Sequence, residues 1–206
     1  MAEAKGLHLD VYQSTSGGVN LRDHWRGAKN LNTSEIISTG NFDVVVLQDH
    51  SLRALEHPDS LVYFTDLISD HSRLHGAQIM LYETWARQSK PMMQAAISQG
   101  YQLAAEEASA TVVPVGTAWA LSLKSNPSFV LHSADQTHPS TQGSYLTACM
   151  FFGTLTGLSP VGLPARLSRK GDKGEQIYFM ILTEEEAHYC QTLADKVLRE
   201  AGLIKP

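Results

Sequence analysis

The sequence has little cysteine, few basic residues and no long apolar run. Its two cysteines, Cys149 and Cys190, both fall in helical patterns, which favours buried free thiols over a disulfide. Acidic side chains outnumber basic ones, 21 to 16, giving a net charge of −5, whereas nucleic-acid binding needs a basic surface. No apolar run reaches the length of a membrane-spanning helix. We therefore expect neither nucleic acid nor a membrane as a partner.

What is present is sufficient for one folded core. A length of 206 residues with 43% hydrophobic side chains predicts a single globular domain over residues 1–206. The one basic cluster, from Arg166 to Lys173, stands beside glycine and proline, a composition typical of a solvated loop rather than a binding patch.

Strand and helix patterns alternate along the chain. Apolar, β-branched runs of the kind found in buried parallel strands are Phe42–Leu47, Gln78–Tyr82 and Thr111–Val115, with a shorter strand-like run at Leu7–Tyr12. Helical periodicity and caps predict helices over Pro58–His75, Pro91–Ser109, Thr141–Thr156 and Thr183–Ala201. Such alternation indicates an α/β sandwich with a mostly parallel sheet.

Polar residues or glycine follow each predicted strand, where the ligands of such folds gather. The segments at these ends are Ser16-Gly17-Gly18, then Gln48-Asp49-His50-Ser51, then Glu83 to Arg87, and Gly116. Their shared position predicts one cleft at the carboxyl edge of the sheet.

The most informative motif is Asp135-Gln-Thr-His138, followed by Pro139 and a helical run from Gly143. A carboxylate that holds one ring nitrogen of a histidine leaves the other nitrogen free to act as a base. The spacing predicts His138 Nδ1 within hydrogen-bond reach of Asp135, roughly 2.6–3.2 Å. We interpret the two residues as the acid and the base of a nucleophilic triad.

Together these loops resemble the SGNH (GDSL-like) hydrolase superfamily over essentially the whole chain from Leu7 onward. The resemblance implies a three-layer α/β/α, flavodoxin-like domain that hydrolyses esters. It assigns Asp135 and His138 to the superfamily's D-x-x-H motif, and Gly18 to the glycine whose N–H helps to form the oxyanion hole. Gln48 stands where many members have the asparagine donor. Two further segments, Leu81 to Arg87 and Ser159 to Pro164, look like a bacterial branch of SGNH-like proteins.

One departure from the superfamily is large. The first strand and its G-D-S or G-N-S nucleophile turn have no counterpart in this sequence. Met1–Gly6 resembles the last turn of a helix with its glycine cap, so we expect the domain to be incomplete at its N-terminus. Without that strand, two neighbouring strands would lie about 10 Å apart, roughly twice the ~4.8 Å spacing of paired strands. Ile177–Leu182 could fill this gap or add a strand near the edge of the sheet.

Several of these residues have a structural alternative. Gly17-Gly18 could be a simple tight turn, and Asp49 or Ser51 could cap a helix. Asp49, His50, Ser51 and Trp85 are weaker candidates for a substrate pocket, and Trp85 and Trp119 could equally pack in the core. Ser14, Ser16 and Ser51 are conceivable surrogate nucleophiles, but none stands on a recognisable nucleophile turn.

A metal site is not expected. His71 and His75 have a spacing compatible with a metal pair, but no third ligand or H-E-x-x-H pattern accompanies them. A zinc site built from His132, Asp135 and His138 is a further alternative, yet the superfamily pattern accounts for two of these residues without metal. We therefore expect neither a metal nor a cofactor.

These observations favour an SGNH-type esterase or deacetylase whose substrate is a small-molecule or carbohydrate ester. Its serine is not evident in this chain, and we expect it in sequence upstream of Met1. The alternatives are a catalytically silent, ligand-binding remnant of the fold and a metal-dependent hydrolase. The sequence does not define the oligomeric state. No targeting segment is recognisable, so the expected compartment is the cytoplasm, with secretion as the alternative if further sequence precedes Met1.

Overall fold

A computed structural model describes residues 1–205 of the chain. Eight α-helices and five β-strands occur in these residues. In chain order they are α1 Leu21–Trp25, α2 Thr33–Gly40, β1 Val44–Leu47, α3 Arg53–Glu56, α4 Pro58–Leu74, β2 Gln78–Tyr82, α5 Gln94–Glu107, β3 Thr111–Val113, α6 Val115–Ser125, α7 Thr141–Thr156, β4 Arg166–Lys170, β5 Gln176–Ile181 and α8 Glu184–Glu200.

The chain divides into two compact units. The sheet unit comprises Val11–Ala86 and Lys90–Gly116, and the second unit, here called the C-terminal unit, comprises Met1–Asp10, Arg87–Ser89 and the chain from Thr117 onward. The assignment of residues 1–206 to one domain stays a prediction, and the two units are described separately.

A parallel three-stranded sheet organises the sheet unit. The strand order is β1-β2-β3. The first residue pair between β1 and β2 is Val44 with Gln78, and the first between β2 and β3 is Met80 with Thr111. Helix α4 packs against β2 and α5 packs against β3. Buried apolar side chains from these elements form the core: Leu47, Leu61, Phe64, Ile68, Ile79, Leu81, Ile97, Tyr101 and Ala104. The predicted α/β class with a parallel sheet is confirmed, because its β-branched runs pair side by side as parallel strands.

The predicted strand at Leu7–Tyr12 is wrong. A β-strand exists only where a second backbone pairs with it, and no strand of the described residues pairs with this segment. Val11 is 85% exposed, while the Tyr12 ring meets the Phe42 ring edge-on at 5.5 Å. Within residues 1–205, β1 pairs only with β2, which leaves its other edge open and Val46 42% exposed.

Helices and the β4–β5 hairpin make up the C-terminal unit. Helices α7 and α8 pack closely against each other. The buried side chains include Trp119, Tyr145, Leu146, Met150 and Leu198, together with Cys149 and Cys190. Both cysteines are free and buried, as predicted. Burial raises the pKa of the Cys190 thiol to about 12, which suppresses its thiolate at neutral pH.

The predicted long helices are confirmed with their caps. Helix α4 ends just before Gly76, whose φ is +86°, and α7 ends at Gly157 with φ +69°. Thr183 and Glu186 form the capping box of α8. No helix within residues 1–205 is long and apolar enough to span a membrane.

The basic cluster is a strand that the sequence did not predict, and the apolar run after it pairs differently from what was expected. Arg166–Lys170 is strand β4 rather than a loop, because β5 supplies its backbone hydrogen-bond partners. The predicted strand near Ile177–Leu182 exists, as β5. However, it pairs antiparallel with β4 in a separate two-stranded sheet, so it neither fills a gap in the parallel sheet nor extends its edge.

Close backbone packing at Gly116 leads to a first prediction. A Cβ there would overlap Thr84 O and the Gln94 side-chain amide nitrogen. We expect Gly116→Ala to lower the free energy of unfolding by about 1–3 kcal/mol, because a backbone carbonyl cannot move aside as a flexible side chain can. Urea denaturation followed by circular dichroism measures the change. Gly17→Ala is the matched control, since its Cβ would meet no atom within 4 Å; equal stabilities of the two variants would contradict the prediction.

Candidate active site

The loop before α7 has a hairpin-like backbone that presents His138. Ser140 N donates to Leu131 O at 2.8 Å, and Ser133 N donates to His138 O at 2.8 Å. At the tip, Gln136 N donates to Ser133 O at 2.9 Å, with Gln136 in the left-handed region at φ +62°. These bonds bring Asp135 and His138 together on one side of the turn.

The Asp135 carboxylate is the hydrogen-bond centre of this loop. Its Oδ1 accepts from the backbone N–H groups of His138 and Thr137, both at 2.9 Å, and from Ser133 Oγ at 2.8 Å. Its Oδ2 lies 2.5 Å from His138 Nδ1. The backbone and ring of His138 contribute most to holding the pKa of Asp135 well below its ordinary value, and Thr137 and Ser133 lower it further. The carboxylate is therefore ionised at neutral pH.

His138 has the arrangement that a general base requires. The D-x-x-H spacing predicted its contact with Asp135, and that hydrogen bond is present. Because an ionised carboxylate accepts the Nδ1 proton, the lone pair of the neutral ring lies on Nε2. The side chain is 79% exposed, so Nε2 is accessible to a reacting group. The catalytic role itself stays a prediction.

A buried wall supports this loop within the C-terminal unit. His132 is 3% exposed and meets the Trp119 ring edge-on at 4.8 Å. Gly143 lies so close to Leu131 O and the Trp119 ring that a Cβ would clash with both. Trp119 therefore packs in the core. Its neighbour His132 is buried with it, and no group of three or more His, Cys, Asp or Glu side chains within residues 1–205 is placed to hold a metal.

The predicted oxyanion residues lie in the sheet unit. Gly18 adopts φ +69° in an exposed turn, and Lys29 Nζ donates to the neighbouring Gly17 O at 2.6 Å. Gln48, at the end of β1, is exposed. The positive φ explains the glycine in this turn, so the turn interpretation of Gly17-Gly18 accounts for its conformation, and the oxyanion role of Gly18 and Gln48 stays a prediction.

Asp49 differs from its neighbours because it is buried. It is 3% exposed, and its Oδ1 accepts from Leu21 N at 3.1 Å and from His50 N at 2.8 Å. Burial raises the pKa of its carboxyl group, although these hydrogen bonds oppose the shift. The carboxylate thus ties the end of β1 to the start of α1, three residues after Gly18. His50 and Ser51 are exposed beside it.

A second buried carboxylate, which the sequence interpretation named only as part of a polar strand end, is Glu83. It is 1% exposed, and Ser98 Oγ and Gln94 Nε2 both donate to its Oε1. Gln94 also donates to Thr84 O at 3.2 Å and accepts from Ala86 N at 2.7 Å. This network fixes the loop after β2, which carries the half-buried Trp85.

Each unit therefore brings together some of the residues that the sequence predicted. The C-terminal unit brings Asp135 and His138 together, and the sheet unit joins the segments of Gly18 and Gln48 through the bond between Leu21 and Asp49. Ser133 and Gln94 were not foreseen from the sequence, and the burial of Glu83 was not foreseen either. A serine two residues before an aspartate is a recognisable turn signal. No local pattern, in contrast, links Gln94 on α5 to Glu83 at the end of β2.

Comparison with known proteins supports the fold. No protein-family profile and no curated protein matches this chain. Among solved structures it is similar to a protein described as a putative SGNH hydrolase from Slackia heliotrinireducens, with a TM-score of 0.61 and 22% identity over 68% of this chain and 80% of that chain. The chain therefore has an SGNH-like, three-layer α/β/α fold.

The hydrogen bonds to Asp135 lead to a second prediction. A carboxyl group whose folded pKa is depressed stabilises the fold above its unfolded pKa, about 3.9 for aspartate, and loses that contribution as the pH falls through the lower folded pKa. We expect the Asp135 carboxyl ¹³C resonance to keep its ionised shift at pH 3, and Ser133→Ala to move the titration midpoint upward. Ser128→Ala is the control, because Ser128 Oγ donates to Asn126 instead. An ordinary midpoint in the unmutated chain would contradict the prediction.

Proposed function

We propose that this chain carries the acid–base part of an SGNH-type serine hydrolase that acts on ester bonds. The observation that supports the proposal is the 2.5 Å contact between His138 Nδ1 and an Asp135 carboxylate that three further donors hold in place. An exposed imidazole oriented by an ionised carboxylate is the base of nucleophilic acyl transfer. The SGNH-like fold agrees with this chemistry.

In the proposed reaction, His138 Nε2 takes the proton of a serine hydroxyl as its oxygen attacks the ester carbonyl carbon. By resemblance to the superfamily, the Gly18 N–H and the Gln48 side-chain amide are the proposed donors to the oxyanion. The imidazolium then gives its proton to the departing alcohol. Water hydrolyses the acyl-enzyme by the same path, and Asp135 stays ionised throughout, stabilising the imidazolium.

The serine of this reaction is not evident in the chain. Ser14 Oγ is hydrogen-bonded to Thr33 Oγ1 at 2.8 Å, and Thr33 Oγ1 also lies 2.8 Å from His24 Nδ1. Ser16 belongs to the turn before Val19, and Ser51 is exposed after β1. Ser51 lies between β1 and α3, but neither it nor Ser14 or Ser16 has the positive φ of the strained turn that presents an activated serine.

The proposed substrate class is an acyl ester, including acylated carbohydrate. Trp85 is half-buried, with its ring 6.2 Å from that of Tyr82. Such an aromatic face suits an acyl chain or a sugar ring. His50 and Ser51 are exposed polar groups in the same unit, and they are proposed to contact the polar part of the substrate.

Our third prediction is that residues 1–206 alone show little or no serine-esterase activity. Triad members act as a unit, so without the serine only the residual catalysis of binding and oxyanion donors remains, roughly 10³–10⁴ over water in the serine-protease precedent. The measurements are p-nitrophenyl acetate turnover and labelling by a fluorophosphonate probe. Robust turnover that His138→Ala abolishes would show that a serine of this chain serves as nucleophile, and single alanines at Ser14, Ser16 and Ser51 would identify it.

A complementation experiment tests the function itself. The first strand and nucleophile turn of an SGNH hydrolase are fused ahead of residue 1, and ester turnover is measured. The proposal expects turnover that falls at least a hundredfold in His138→Ala and in Asp135→Asn, but not in the control His71→Ala, whose ring contacts Ser34 O. A well-folded fusion without His138-dependent turnover would instead favour the catalytically silent alternative.

A further inference from the structure

The β4–β5 hairpin exposes an unusual amount of apolar surface. Four large side chains of β5 are 38–62% exposed: Ile177, Tyr178, Phe179 and Ile181. They lie within five consecutive positions of one short strand. Single exposed apolar residues are ordinary on protein surfaces, whereas a contiguous group marks a contact site.

The register of the hairpin places these side chains on both of its faces. Ile177 pairs with Arg169, and Tyr178 pairs with Ser168, so the two neighbouring residues point to opposite faces. A bulge falls between the pairs of Leu167 and Ser168, and it leaves Phe179 without a cross-strand partner. Leu167 and Met180 turn inward, and β5 contacts α7, yet exposed apolar side chains remain on both faces of the hairpin.

The partner strand and the turn of the hairpin are basic. Arg166, Arg169, Lys170 and Lys173 are all exposed, and none forms an ion pair with an acidic side chain in the described part of the chain. Residues 166–182 contain two acidic side chains, Asp172 and Glu175, so the hairpin is positively charged in a chain whose net charge is −5. Glu175 Oε2 accepts from Lys173 N and is thereby used within the turn.

We propose that this hairpin binds an anionic lipid surface. Apolar side chains on both faces suit the boundary between headgroups and acyl chains, which can surround a protruding element, whereas a protein partner would contact one face or one edge. Arg and Lys beside the apolar strand reach lipid phosphates while their stems stay in apolar surroundings. The acidic residues Glu184 to Glu186 follow the base of the hairpin, so Arg169 and Lys170, farther from that base, make the main contacts with phosphate.

This inference revises the expectation drawn from composition. Net charge averages over the whole chain, and a long apolar run marks only a helix that spans a membrane. The cationic strand and the apolar strand become one surface only when β4 pairs with β5. At ordinary salt, charges act over about 8–10 Å, so the local charge of the hairpin outweighs the net charge of the chain. The inference is independent of the proposed ester hydrolysis.

The first test is binding of the full chain to lipid vesicles by cosedimentation. We expect binding to phosphatidylcholine vesicles that contain about a third phosphatidylglycerol, weak binding to pure phosphatidylcholine, and loss of binding at high salt. The double variant Arg169→Gln with Lys170→Gln should bind about twenty-five-fold more weakly, about fivefold for each charge. Lys90→Gln with Lys124→Gln is the charge-matched control. Equal effects of the two double variants, or equal binding to both vesicle types, would overturn the proposal.

The contribution of the apolar side chains to vesicle binding is tested separately. Tyr178→Ser with Phe179→Ser should weaken vesicle binding at least tenfold, whereas Met92→Ser, at a site that is 89% exposed, should not. In addition, Phe179→Cys carrying an environment-sensitive fluorophore should shift to the blue on anionic vesicles, and labelled Met92→Cys should not. The native thiols do not interfere, because both are buried. Thermal unfolding checks that each variant folds.

Light scattering after size-exclusion chromatography tests whether a second copy of this chain, rather than lipid, binds to the hairpin. If the chain self-associates without lipid and Tyr178→Ser with Phe179→Ser abolishes that association, the hairpin is an interface between copies of this chain, and the lipid proposal is overturned. A monomer that binds anionic vesicles only with an intact hairpin supports the proposal.

Discussion

The candidate active site depends on the hydrogen bonds of one exposed carboxylate. Asp135 accepts from two backbone N–H groups and two side chains, so the same group that orients His138 also fixes the loop that carries it. These four donors stabilise the charged form of the carboxyl group and so lower its pKa. Because all four donors lie within three residues of Asp135, a short segment specifies both its own fold and the direction of the imidazole. Mutation of Asp135 would remove both the orientation of His138 and the hydrogen bonds of the loop. Mutation of Ser133 removes only one donor to the carboxylate and is therefore the more informative change.

The sheet unit uses carboxylates in the opposite way. Asp49 and Glu83 stand at the ends of neighbouring parallel strands, where folds of this class bind ligands, yet both are buried and engaged by protein donors. A buried carboxylate is costly unless it is hydrogen-bonded, so each must have its partners, and these partners fix the loops after β1 and β2. Gln94 and Gly116 pack tightly against the second of these loops. The exposed groups Gln48, His50 and Ser51 belong to the loop that the hydrogen bonds of Asp49 hold in place.

Whether a segment becomes a strand depends on whether a second strand pairs with it. Residues 7–12 have a strand-like composition but no partner strand, and Leu9, Val11 and Tyr12 remain 46–85% exposed. Residues 166–170 have the composition of a basic loop, yet β5 supplies backbone partners and makes them a strand. At residues 7–12 the apolar pattern does not form a strand, because no second backbone pairs with it. At residues 166–170 pairing with β5 is enough to form a strand despite the basic side chains, because an exposed edge strand accommodates charge.

The sequence by itself determined the features that depend on near neighbours. The helices with their caps at Gly76, Gly157 and Thr183 follow from local periodicity and backbone chemistry, and the contact of His138 with Asp135 follows from a spacing of three residues. The parallel class of the sheet was also predictable, because continuous β-branched runs alternate with helices. Only the tertiary structure decided the rest: the burial of Asp49, the joining of Glu83 to Gln94, the absence of a strand at residues 7–12 and the amphipathic hairpin. The reason is that burial and strand pairing depend on which distant segments lie alongside, and a linear pattern does not specify that neighbour.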